Sequence, residues 1–185
     1  MQCVPLNPSR QCSLSASTDS PSVAPEKSSI SFWRSQRAHS PSFEQLIECL
    51  WEDDPGVVNR ASDAIERITR THPALLQPWK AALLGLLSEA AQAKLRWNLA
   101  LVVPRCKLSR SEAERAAAVL ESWLEDKSSI VKACALQGLF ELLPYNPAAQ
   151  LELVELLRLN SRTGTPAVRA RGRILLKKLT AGGAA

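Results

Sequence analysis

The stretch Ser128-Ser129-Ile130-Val131-Lys132-Ala133-Cys134-Ala135-Leu136-Gln137-Gly138-Leu139 decides the fold. Val131, Ala135, Gly138 and Leu139 fall within about 100° on a helical wheel, so they form one buried stripe. Ser128, three residues before Val131, is an N-cap type whose hydroxyl satisfies a free N–H of the first turn. The pattern recurs. With Val57, Ala93, Val131 and Val168 taken as equivalent, the separations are 36, 38 and 37 residues, a period that belongs to stacked helical hairpins. Four residues on stand Ala61, Trp97, Ala135 and Gly172; eight on stand Ile65, Leu101, Leu139 and Leu176. Three before the register residue come Asp54, Ala90, Ser128 and Thr165, which are capping types in three of the four units.

Helix punctuation agrees with this period. Ser42-Phe43-Glu44-Gln45 and Ser109-Arg110-Ser111-Glu112 fit capping boxes, and Asp54-Pro55 and Thr165-Pro166 put a cap before a first-turn proline. Pro73, Pro104 and Pro144 follow apolar stretches and should end helices. The apolar content of this 185-residue chain is mostly Leu and Ala, and 12 Pro, 7 Gly, 1 Tyr and 3 Phe argue against Gly-rich nucleotide-binding folds and aromatic-rich β-structures. Residues 1–40 hold eleven Ser and four Pro around one apolar cluster, Ile30-Ser31-Phe32-Trp33. That composition predicts a disordered leader; the alternative reading makes the cluster a short docking segment, either for another protein or for the body's own first helix. The expected organisation is therefore a leader at 1–40, a repeat domain at 41–180 and a flexible tail at 181–185.

Paired helices at this period, with Asp126, then Val131-Lys132 and Ala135, and with Val168-Arg169 repeating the core, resemble HEAT repeats over residues 42 to 180. Unit one departs with Val57-Val58, unit two with Ala93-Lys94 and Trp97, and unit four with a longer turn from Asn160 to Gly164. The resemblance implies an all-α fold, an α-α superhelix or solenoid of about four hairpins whose second helices line a concave binding surface. It also implies a structural ladder in which the basic residues Lys94, Lys132 and Arg169 pair with acids of the inter-helix turns, Asp126 with Lys132 first. Trp97 is expected in the core, and Trp51, Trp79 and Trp123 are expected to fill gaps between hairpins.

Arg60, Arg96 and Arg171 stand three after the register residue on successive second helices and could form a row suited to acidic peptide or nucleic-acid backbone; solvated arginines covering apolar surface are the plainer reading. The net charge of +5 conceals a gradient. Residues 41–66 carry seven acids against Arg60 alone, whereas residues 156–185 carry seven basic residues, including Lys177 and Lys178, and no acid. The basic last helix reads as a terminal cap that an acidic partner could use, and head-to-tail association of the opposite ends is a further possibility.

The sequence has no catalytic signature of the HExxH, GxSxG or phosphate-loop kinds. Its five Cys (Cys3, Cys12, Cys49, Cys106 and Cys134) and two His (His39 and His72) have unrelated spacings, so no metal, cofactor or disulfide framework is expected, and free thiols fit a cytoplasmic protein. The expected function is a non-catalytic scaffold or adaptor binding another protein through the concave face, with no small-molecule substrate and no integral membrane association. The alternative is a nucleic-acid binder, even a divergent DNA-repair glycosylase, using the arginine row and the basic last helix. Arg96-Trp97 matches the glycosylase pattern weakly, and the stripe position of Trp97 argues against it. An accessory or lyase-like HEAT enzyme has no residue to recommend it.

Overall fold

The computed structural model describes residues 41–182, and every regular element among them is helical. The expected leader lies outside the described residues. Four hairpins follow one another: α1 (Pro41–Glu48) with α2 (Pro55–Thr69), α3 (Lys80–Glu89) with α4 (Ala93–Val102), α5 (Arg110–Ser122) with α6 (Ser129–Leu142), and α7 (Gln150–Thr163) with α8 (Pro166–Gly182). The last helix continues two residues into the segment expected as tail. The second helices pack in chain order, α2 on α4, α4 on α6 and α6 on α8. None of the described helices is long and apolar enough to cross a membrane.

The predicted punctuation operates as expected in most places. Asp54 accepts from Gly56 N–H at 2.7 Å ahead of Pro55, the Ser109 and Glu112 side chains exchange both bonds of a capping box, and Ser128 caps α6. Single 3-10 turns carrying Pro104 and Pro144 close α4 and α6, while Pro73 opens a longer 3-10 segment after α2. The first helix begins at Pro41, so Ser42 stands inside it rather than before it.

Unit two shifts register by two residues. Its N-cap position is Gln92, not Ala90, and Leu95 rather than Ala93 is the third residue of its second helix, as Val57, Val131 and Val168 are of theirs. Counted from Leu95, the stripe is Leu99, Val102 and Val103, all buried, and the separations become 38, 36 and 37. Ala93 is exposed, and Trp97, expected in the core, packs only against its edge. The Ala90-Ala91 pair supplies no capping side chain, so the helix starts later, where the apolar stripe can face inward. In unit one the inward residue of the first turn is Val58, beside the half-buried Val57.

Polar bonds join successive hairpins at repeated positions. Asn98, three after Leu95, donates to Ser62 Oγ and Asp63 Oδ1 at 2.9 Å each, and Arg171, three after Val168, donates to Gln137 Oε1 at 2.9 Å. Glu66 is buried beneath two guanidinium groups: Arg105 of the next hairpin reaches Oε1 at 2.7 Å, and Arg70 clasps both oxygens at 2.9 and 2.7 Å. Arg105 also donates to the Glu66 carbonyl and to Thr69 Oγ1, leaving the buried carboxylate well satisfied. Burial pushes the Glu66 carboxyl upward, but the bonds and charges of Arg70 and Arg105 outweigh it and hold the group below the usual carboxylate range. Among the first helices, Lys80 Nζ lies 2.8 Å from each oxygen of Glu112 and ties α3 to α5. That pairing, with the backbone bond from Ser109, lowers the Glu112 carboxyl to about 2.

The closest approach is at Gly138. A Cβ there would stand 2.5 Å from the Ala100 carbonyl oxygen and 2.7 Å from Leu120 Cδ1, so α6 can press on both α4 and α5 only without a side chain at this position. Gly85 in α3, by contrast, faces open space. Gly138→Ala should therefore destabilise by about 1–3 kcal/mol through overpacking, whereas Gly85→Ala should stabilise by about 0.5–1 kcal/mol. Urea unfolding of both variants checks the contrast in sign, and a neutral Gly138→Ala would contradict the packing.

Because Glu66 and Glu112 have depressed folded-state pKa values, their contribution is complete above the unfolded values, about 4.3 for Glu, and is lost as pH falls through the folded ones. Thermal melts between pH 7 and pH 2 should show stability declining below about pH 4. Glu66→Gln, which leaves the half-buried Arg105 without its charge partner, should cost about 1–3 kcal/mol at pH 7 and flatten the acid limb. An unchanged acid limb in that variant would remove Glu66 from the account.

Candidate functional site

The residues predicted to bind a partner on the second helices are mostly engaged within the fold. Arg96, placed by the corrected register one residue after Leu95, occupies the ladder position rather than the arginine row. Its Nη1 lies 2.6 Å from Asp126 Oδ2, its Nε donates to the Ala90 carbonyl, and its guanidinium sits 5.6 Å from the centroid of the buried Trp123 ring. Asp126 also accepts from Ser128 N–H at 2.7 Å. The expected Asp126–Lys132 pair is replaced by this longer reach from the preceding hairpin. Burial raises the Asp126 carboxyl, but the Ser128 and Arg96 bonds, with Lys132 contributing charge, bring it below its usual value.

Lys94 stands before Leu95 in the corrected register and pairs instead with Asp63 Oδ2 at 2.6 Å, an acid within α2 rather than in an inter-helix turn. Arg169 is exposed and makes no ion pair with the described residues. Of the proposed row, Arg171 is bound to Gln137 and Arg60 is exposed on the outermost second helix. On α8, Lys177 is exposed and Lys178 lies 5.9 Å from the Phe140 ring centroid. These residues do not converge on one site.

A groove that sequence reasoning missed lies between α5 and α7. Lys80 and Glu112 bind α3 to α5, but α5 and α7 have no corresponding close packing; α7 rests on α8 and touches α6 lightly. Two consecutive 3-10 turns, Leu143–Tyr145 and Pro147–Ala149, separate α6 from α7. Tyr145 is drawn back toward the preceding connection, where its hydroxyl donates to the Cys106 carbonyl at 3.1 Å. The opening has a volume of about 590 Å³. Leu124, Leu139 and Leu142 form its floor, Leu153, Leu156 and Leu159 its α7 wall, and the small Ala113 and Ala117 its α5 wall. Leu159 is 58% exposed on the helix that also supplies the buried Leu153 and Leu157.

The rim is acidic. Glu114, Glu121 and Glu125 edge the α5 side and Glu152 the α7 side, against the single cation Lys132. Glu114 pairs with Arg110 at 2.9 Å. Glu121, Glu125 and Glu152 are exposed and make no hydrogen bond or ion pair with the described residues. Three unpaired carboxylates around an apolar floor suit a ligand with apolar side chains and flanking positive charge.

The groove contains no thiol or imidazole. Elsewhere, burial pushes the Cys106 thiol up to about 12 and the Cys134 thiol up to about 11, so both stay protonated at neutral pH and are weak nucleophiles. Among the described residues no three His, Cys, Asp or Glu side chains gather where they could hold a metal ion. No family model, curated protein or solved structure matches this chain.

The rearranged ladder has a measurable signature. A double-mutant cycle on Arg96→Ala and Asp126→Ala should give a coupling of about 1 kcal/mol or more, and one on Lys132→Ala and Asp126→Ala a distinctly smaller coupling. Equal couplings in the two cycles would restore the Asp126–Lys132 pair.

Proposed function

We infer that the protein is a HEAT-like helical-repeat adaptor that binds another protein through the groove between α5 and α7. The supporting observation is the groove itself: a recess of about 590 Å³ with a leucine floor, an exposed Leu159 and three unpaired rim carboxylates. Its dimensions suit an amphipathic helix or short extended segment, which is bound by apolar anchors and oriented by rim charge. On this reading docking lies among the first helices rather than on the second-helix face, a choice supported by the bonds between hairpins that occupy Arg96 and Arg171. The nucleic-acid reading retains the exposed Arg60, Arg169, Arg173 and Lys177.

Affinity capture from nuclease-treated extract separates these readings. Leu156→Asp with Leu159→Asp, at positions that are not fully buried, should reduce recovery of the bound protein at least about tenfold, while Arg60→Glu with Lys177→Glu should leave it unchanged. Recovery that survives the leucine substitutions but disappears with nuclease or with the Arg60 and Lys177 substitutions would transfer the function to nucleic acid.

A further inference from the structure

The groove's charge finds its complement within the same chain. The cluster Ile30-Ser31-Phe32-Trp33 is followed by Arg34 and Arg37 and preceded by Lys27, with no acidic residue between Lys27 and Arg37. Three apolar and three basic side chains in eleven residues match an apolar floor bordered by the three unpaired carboxylates Glu121, Glu125 and Glu152. We propose that the segment from Lys27 to Arg37 docks in the α5–α7 groove of its own chain, with Phe32 and Trp33 against Leu156 and Leu159 and the arginines at the acidic rim. The proposal rests on the groove being a docking surface, the reading given above.

The tether permits it. Seven residues lie between Trp33 and Pro41, the start of α1, and the eight Cα-to-Cα steps span up to about 26–29 Å when extended. Packed helices lie about 8–10 Å apart, so the three helix spacings from α1 to α7, where Leu156 and Leu159 sit, require about 24–30 Å, which the tether covers when fully extended. Bare charge attraction at a solvated rim is weak, and specificity has to come from the aromatic pair entering the apolar recess. An external partner carrying the same chemistry would then compete with this segment, and the protein would regulate its own docking site.

Photocrosslinking of the full chain tests the arrangement. With p-benzoylphenylalanine in place of Trp33, irradiation should give adducts within the groove, centred on Leu156 and Leu159, in a monomer and with a yield independent of protein concentration. Charge reversal by Glu121→Lys, Glu125→Lys and Glu152→Lys, at exposed positions that should leave the melting temperature unchanged, should lower the yield about tenfold. Adducts mapping elsewhere, an absence of adducts, or adducts only between chains in a mixture of isotopically labelled and unlabelled protein would each overturn the proposal. The two readings fail separately. If Leu156→Asp abolishes partner capture but no groove adduct forms, the adaptor reading stands and self-docking falls; if groove adducts form but capture ignores the groove, the reverse holds.

Discussion

The contact of Gly138 with the Ala100 carbonyl oxygen is the constraint around which the other elements are arranged. It brings α6 close to α4 and lets Leu120 of α5 close over the same spot, so the central hairpin is joined to the one before it through its backbone. Once α6 sits there, α8 can pack on its other side, with Arg171 reaching Gln137 just as Asn98 reaches back to Ser62 and Asp63 one hairpin earlier. Apolar burial supplies the drive for this stacking, because no single hairpin can cover its own stripe. The polar bonds fix register: Arg105 on Glu66 and Arg96 on Asp126 each span two hairpins and tolerate no slip along the helix axis.

Local chemistry made much of this legible in the sequence. Caps at Asp54, Ser109 and Ser128, the prolines that close helices, and the period of about 37 residues all arise from interactions within a few residues, and the helices follow them. The second unit was misread by two residues because Ala90 to Ala93 offers no capping side chain and Trp97 passes for a stripe residue on apolarity alone. That error moved Arg96 from the ladder to the arginine row. Correct counting from Leu95 would have placed it beside Lys132 and Arg169 as the basic residue following the register position.

The groove was not legible in the same way. It arises from contact that is missing between α5 and α7, two helices not adjacent in sequence, and no local pattern encodes a separation. One signal was available: α7 carries Leu151, Val154, Leu156 and Leu159 in addition to the buried Leu153 and Leu157, more apolar residues than one inward stripe can use. An excess of leucine on a first helix marks a second apolar face beyond the one its own hairpin covers.

The poor bracing of α7 links occupancy to cohesion. The second and third hairpins are held to each other on both layers, whereas the fourth is held chiefly where α8 meets α6 and has no neighbour beyond it among the described residues. Its local opening free energy is therefore below that of the central hairpins, and its amides should exchange with solvent sooner. Whatever fills the groove bridges α5 to α7 and supplies the missing layer contact, so its binding energy adds to the cohesion of the last hairpin. Occupancy of the groove would thereby set how firmly the last hairpin, with its basic helix α8, is held to the rest of the stack.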